Sequence, residues 1–184
     1  MFKFLKWTFY IVAGFALLLF VGFKVLQLQT KRYSPEDTVT YKAAGNELMV
    51  YYNRPYKKER AIFGSLVPFG EVWRTGANEA TTFSTEDRIT FGGKKLRAGT
   101  YTLWTVPGPD SWKVIINDRQ YTWGVTTDGI ASRDPAADVL EVDVPVEKTK
   151  REVEQFTINF VGSGRKPDLV LSWDETQISI PINW

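Results

Sequence analysis

The sequence predicts an all-β fold, an antiparallel β-sandwich of jelly-roll or Greek-key-like type, preceded by one N-terminal transmembrane helix. Three observations carry this expectation. An uncharged apolar run extends from Trp7 to Phe23. Beyond Ser34-Pro35, apolar and polar residues alternate with a period of two. Nothing after residue 32 sustains the i, i+3, i+4, i+7 apolar spacing of an amphipathic helix. The expected division is therefore an anchor over residues 1–32, with its apolar core at 7–23, and a β-sandwich domain over 33–184.

The anchor comes first. The 17 residues from Trp7 to Phe23 reach about 25 Å as a helix, against a hydrocarbon core of roughly 30 Å. Lys6 and Lys24 close the gap by laying their stems along the apolar zone and lifting their ammonium groups to the headgroups, while Val25, Leu26 and Leu28 extend the hydrophobic stretch. Trp7 and Tyr10 suit an interfacial belt. A cleaved signal peptide needs a small-x-small site after the apolar centre, and Phe20 to Leu26 offers no convincing one. A lipid-modified signal needs a Cys, which the chain lacks. A buried helix of the domain is the third alternative, and it leaves the all-round apolar surface unexplained. The favoured reading is an uncleaved single-pass anchor in the cell membrane. Positive charge flanks both ends (Lys3 and Lys6; Lys24, Lys31 and Arg32), so the charge rule does not fix orientation. A short basic N-terminus before a long domain is the layout of an export signal. That favours a cytoplasmic N-terminus and an extracytoplasmic domain, secreted if the segment is cleaved.

The strands follow in order. Val39 and Tyr41 alternate with Thr38, Thr40 and Lys42; Leu48, Val50 and Tyr52 form the next stripe, which Pro55 ends. Arg88 to Phe91 and Lys94 to Arg97 flank Gly92-Gly93, a two-residue link suited to a primed hairpin turn because Gly accepts positive φ. Ala98-Gly99 leads into Thr100 to Val106, then Pro107 to Asp110 and Trp112 to Asn117, which reads as a meander. Leu140, Val142, Val144 and Val146 form one stripe and Phe156, Ile158 and Phe160 another. Leu169, Leu171 and Trp173 are expected to pair across Asp174-Glu175 with Ile178, Ile180 and Ile182. Eight to ten such strands must bury their apolar faces against one another in two packed sheets or a barrel. A domain of this size hides about 70% of its unfolded surface and needs no disulfide.

Composition narrows the chemistry. The 184 residues include no Cys and no His, which excludes disulfides, Cys or Ser-His nucleophile systems, and the usual zinc or haem ligation. No cofactor and no metal are expected. Residues 1–32 hold five basic and no acidic groups, leaving 18 basic against 21 acidic in the remainder. A nucleic-acid binder needs a basic folded domain, and this one is slightly acidic. The expected partners are the membrane, through residues 7–23, and a glycan or envelope protein.

Two segments do not alternate. Arg54 to Ala80 is too long for a hairpin loop and too apolar for a solvated one; Ile62, Phe63, Leu66, Val67, Phe69 and Trp73 can pack it down. Asp118 to Asp138 carries Tyr121, Trp123, Gly124, Asp128, Gly129, Arg133 and Asp134. The run from Asn53-Arg-Pro-Tyr-Lys-Lys through Ile62-Phe-Gly-Ser-Leu-Val-Pro-Phe-Gly-Glu-Val-Trp-Arg-Thr-Gly-Ala-Asn-Glu-Ala-Thr81, with Gly92 to Leu103 and Trp123-Gly124 downstream, resembles the bacterial family called domain of unknown function 2911. The Trp-Arg-Thr-Gly-Ala-Asn-Glu-Ala core is its most specific part. The resemblance implies export of the domain and supplies no catalytic residue. The family is associated with cleavable export signals, whereas this N-terminus reads as retained.

The candidate ligand-binding residues are Arg54, Trp73, Arg74, Thr75, Asn78, Glu79 and Trp123. Arg74 can fork onto a carboxylate or a sugar diol, and Thr75, Asn78, Glu79 and Thr81 add hydroxyl, amide and carboxylate partners. The competing reading makes Trp73 core and pairs Arg74 internally with Glu79 or Glu71 to hold the loop. Arg54, Tyr56, Lys57 and Lys58 form either a cationic rim or a solvated turn. Trp104, Trp112 and Trp123 either stack on sugar or fill the core. Asp128, Asp134 and Asp138 match no calcium loop. Three functions remain: a binding or interaction module of the cell envelope; a glycosidase-like hydrolase using Glu79 with a second carboxylate such as Glu71, no catalytic residue being otherwise assignable; and a purely structural component.

Overall fold

Residues 2–43 and 45–184 are described by the computed structural model, apart from the side chains of Phe2 and Lys3. Phe2–Tyr33 forms a single α-helix, α1. It is one compact unit and Ser34–Trp184 is the other. The helix is apolar around its whole circumference, with Trp7, Phe9, Ile11, Phe15, Leu18, Phe20 and Leu26 all exposed. A water-soluble surface helix keeps a polar face; this one is long and apolar enough to cross a membrane. It runs further than the apolar core at 7–23 requires. It continues through Gln29 to Tyr33, with Lys31 and Arg32 in the last turn complementing the helix dipole. Pro35 stops it by disfavouring helical backbone at Ser34.

Ser34 and Pro35 lead into nine strands: β1 (Glu36–Ala43), β2 (Asn46–Asn53), β3 (Thr81–Thr85), β4 (Ile89–Phe91), β5 (Lys94–Leu96), β6 (Gly99–Val106), β7 (Ser111–Asn117), β8 (Asp138–Val161) and β9 (Asp168–Asn183). They form one antiparallel sheet in the order β1-β2-β3-β6-β7-β8-β9-β4-β5. The sheet doubles back through the long strands β8 and β9, bringing inner faces together: Tyr52 of β2 meets Phe156 of β8 with ring centroids 5.8 Å apart, and Phe83 of β3 meets Phe91 of β4 at 5.2 Å. A sandwich is consistent with these contacts. Tyr52 also crosses the core through its hydroxyl, which accepts from the Ile158 amide at 3.0 Å.

Three strand expectations change. The stretch from β4 to β7 is not a meander, because the β4-β5 hairpin leaves β6 and pairs with β9, while β6 pairs with β3. The hairpin turn itself is as expected, with φ of 56° at Gly92 and 81° at Gly93. The two stripes at 140–146 and 156–160 are one strand, β8. Asp174-Glu175 is not a hairpin turn but a bend within β9, at which Asp174 adopts φ 57°. Opposite it the ladder jumps from Lys148↔Thr176 to Val153↔Asp174 and then to Thr157↔Ser172, so β8 bulges outward.

Candidate functional site

The 54–80 segment is stitched to the sheet rather than looped into solvent. Phe156 donates its amide to the Pro55 carbonyl at 2.9 Å, Lys57 donates to Glu154 at 2.7 Å, and Trp73 exchanges two backbone hydrogen bonds with Thr105 of β6 at 2.7 and 3.0 Å. Ile62, Val67 and Trp73 are buried, whereas Leu66 and Phe69 stay exposed, contrary to the expectation that all six apolar residues pack inward. Phe63 closes an aromatic cluster, 4.7 Å from Trp112 and 6.0 Å from Trp73. Trp73 belongs to that cluster, stacked at 6.0 Å on Trp173 of β9, with its indole N–H donated to the Gly76 carbonyl at 3.0 Å. Its side chain is core. Trp104 and Trp112 are likewise sealed in the interior and offer no stacking face.

After Trp73 the backbone folds back sharply. Thr75 and Asn78 lie in the left-handed region at φ 56° and 57°, with Gly76 between them at 145°. A β-branched residue there is strained, and the surroundings hold it in place. The Thr75 hydroxyl meets that of Thr105 at 3.1 Å, and its carbonyl accepts from the Thr81 hydroxyl at 2.6 Å. Asn78 donates its amide nitrogen to Asn53 Oδ1 at 3.2 Å and to the Ser34 carbonyl at 3.4 Å. Asn53 in turn donates to Glu79 Oε2 at 3.0 Å. Asn53 is fully buried at the end of β2 and organises the loop. It was not among the expected site residues, although it opens the Asn53-Arg-Pro motif; a buried Asn beside a strand-ending Arg-Pro was the available signal.

Arg54 is fully committed elsewhere. Its Nε donates to the Phe156 carbonyl, Nη1 to Asp37 and Nη2 to Thr157, tying β1 to β8. Lys57 is not solvated either: its ammonium bridges Asp174 at 2.7 Å and Glu152 at 3.0 Å.

The second segment, 118–138, folds against the first around Asn117, whose side chain donates to the Asp134 carbonyl and to Asp138 Oδ1, both at 2.8 Å, and accepts from Tyr121 at 3.1 Å. Asp134 caps the short 3-10 helix Pro135–Ala137 and pairs with Arg119, and Asp138 pairs with Arg133. These aspartates thus serve the loop's own structure. The segments join where Gly124 donates to the Asn78 carbonyl at 2.9 Å. Tyr121 and Ala131 pack with Val72 over Trp104, Ile115 and Ala80 in a small second core.

Arg74 follows the isolated bridge that Trp73 makes with Thr105. Its stem lies against Gly124 so closely that a Cβ there would stand 2.3 Å from Arg74 Cδ. The half-buried guanidinium has no hydrogen-bond or ion-pair partner among the described residues, and its Nε is sealed from solvent unpaired. The internal pairs expected with Glu79 or Glu71 are not made. Burial pushes the Arg74 pKa below its ordinary value. Trp123, half-buried, immediately precedes Gly124. Glu71 lines a surface depression between the two segments with Val72, Asp128, Ile130 and Arg133, which Glu79 does not line. Of the seven expected residues, Arg74 and Asn78 meet the second segment at Gly124, which Trp123 precedes, and Glu79 accepts from Asn53. Thr75 braces the first segment through Thr105 and Thr81, and Arg54 and Trp73 tie the fold together.

No curated protein and no solved structure was found to match the chain. A family model described as Protein of unknown function (DUF2911) matches residues 34–182, which is nearly the whole chain outside the helix. The chain belongs to that family.

Proposed function

We propose that this protein is a membrane-anchored binding module of the cell envelope. Helix α1 is held in the membrane through residues 7–23 with its N-terminus cytoplasmic, and the domain from Ser34 onward lies outside the cytoplasm. The ligand surface is the seam between segments 54–80 and 118–138, and the ligand is an envelope glycan or protein. The observation that supports this reading is Arg74. A half-buried guanidinium without an acceptor among the described residues costs stability, since buried charge is normally paired. It is presented by a loop whose strained backbone is braced from within, and strain of that kind clusters at binding sites.

The test is a binding screen of the full chain in a neutral detergent against defined envelope glycans and fractionated membrane extracts. A saturable partner that protects the seam from hydrogen exchange is the expected result. Failure of every fraction to saturate overturns the binding role.

A further inference from the structure

We propose that the ligand of the seam carries an oxyanion, a phosphate or carboxylate group, held by the Arg74 guanidinium. This deepens the binding-module reading and rests on it. Among the described residues, the Nε–H of Arg74 is sealed from solvent with no acceptor, and its two Nη nitrogens make no hydrogen bond yet are not sealed. The fork therefore has one edge lodged in the fold and its ends open, the arrangement a planar guanidinium needs to take two oxygens of one group. Neutral hydroxyls would leave its charge uncompensated, whereas an oxyanion compensates the charge and takes the open Nη donors together.

The position is held rather than sampled. Gly124 gives the stem its room, the Gly124 amide is fixed on the Asn78 carbonyl, and the Ser132 amide is fixed on the Gly124 carbonyl at 3.1 Å. Lysine would place a single point charge here without the fork. Two sources supply such a group: a soluble anion, or the headgroup of an anionic lipid.

The experiment follows the Nε–Hε resonance of Arg74 by NMR in the full chain. One arm titrates inorganic phosphate, and separately acetate, in neutral detergent. The other compares nanodiscs of phosphatidylcholine alone with nanodiscs containing phosphatidylglycerol. We expect a saturable shift in at least one arm; the responding arm identifies the source. Arg74→Lys should weaken that response tenfold or more. Arg74→Met should abolish binding while leaving the ligand-free Tm equal to or above that of the wild type, because an unpaired charge is removed. A resonance unmoved in both arms overturns the proposal, as does a Tm below wild type for Arg74→Met, which would give Arg74 a structural task. If the envelope screen finds a partner whose affinity Arg74→Met leaves intact, the binding module stands and the oxyanion assignment falls.

Discussion

Gly76 shows how little freedom the loop has at single residues. At φ 145° it occupies backbone that other residues avoid, and a Cβ would stand 2.7 Å from the Asn53 carbonyl oxygen. Gly76→Ala should therefore cost about 1–3 kcal/mol, through strain and displacement of Asn53. Thermal unfolding measures this as a Tm drop of about 2–4 °C per kcal/mol. Tyr52 provides a pH test. Burial pushes its phenol above the ordinary value, opposed by the hydrogen bond with Ile158. A raised folded pKa means its contribution is complete below the unfolded phenol's pKa of about 10 and is lost as pH rises through the folded value. Stability should fall in that alkaline window, and Tyr52→Phe should flatten the fall in a Tm-against-pH series. The same variant should lose about 1–3 kcal/mol at neutral pH by orphaning the Ile158 amide. Residue types at the site were legible in the sequence, since Arg74, Asn78 and Glu79 stand within one short motif. Partnership was not. Whether Arg74 meets Glu79 or nothing depends on Asn53, which takes up both Asn78 and Glu79 from another strand, and on Gly124 of a distant loop.

At the scale of elements, the bend shared by β8 and β9 is the decisive feature. Apolar residues in β9 fall at 169, 171 and 173 and then at 178, 180 and 182. The phase of the alternation flips between the two sets, and a flip is compatible with either a turn or a bulge. The structure makes it a bulge because Asp174 takes left-handed backbone, while the Lys57 ammonium sits between Asp174 and Glu152 of β8. The Lys57 pKa is raised chiefly by its hydrogen bond to Asp174 and then by Glu152, so this clamp is complete below the lysine's ordinary pKa and is released as pH rises past the folded value. Asp174→Asn keeps a residue tolerant of positive φ and loses only the charge; it should lower stability slightly in chemical denaturation. Asp174→Val should lower it by about 1–3 kcal/mol more, because a β-branched residue resists that φ. Strand β3 escaped sequence reading because Thr81-Thr-Phe-Ser-Thr85 has one large apolar residue, Phe83. Its membership in the sheet comes from pairing with β2 and β6, not from its own pattern.

For the whole molecule, two units with opposite solvent preferences share one chain. The helix has no polar face to turn to water, and the domain buries its own core from Leu48 to Ile182. That division was legible in the sequence because it rests on composition, which needs no tertiary information. The order of the strands depends on long-range pairing that composition does not encode. The absence of cysteine supplies a clean background for locating the domain. Ser163, exposed in the turn between β8 and β9, can be replaced by Cys without touching the core or the seam. In intact host cells, Ser163→Cys should react with a membrane-impermeant maleimide, and the labelled chain, still containing residues 7–23, should remain with the membrane pellet after alkaline carbonate washing. Labelling only after lysis, or a labelled chain that is soluble and begins beyond residue 24, would contradict an anchored domain facing outward.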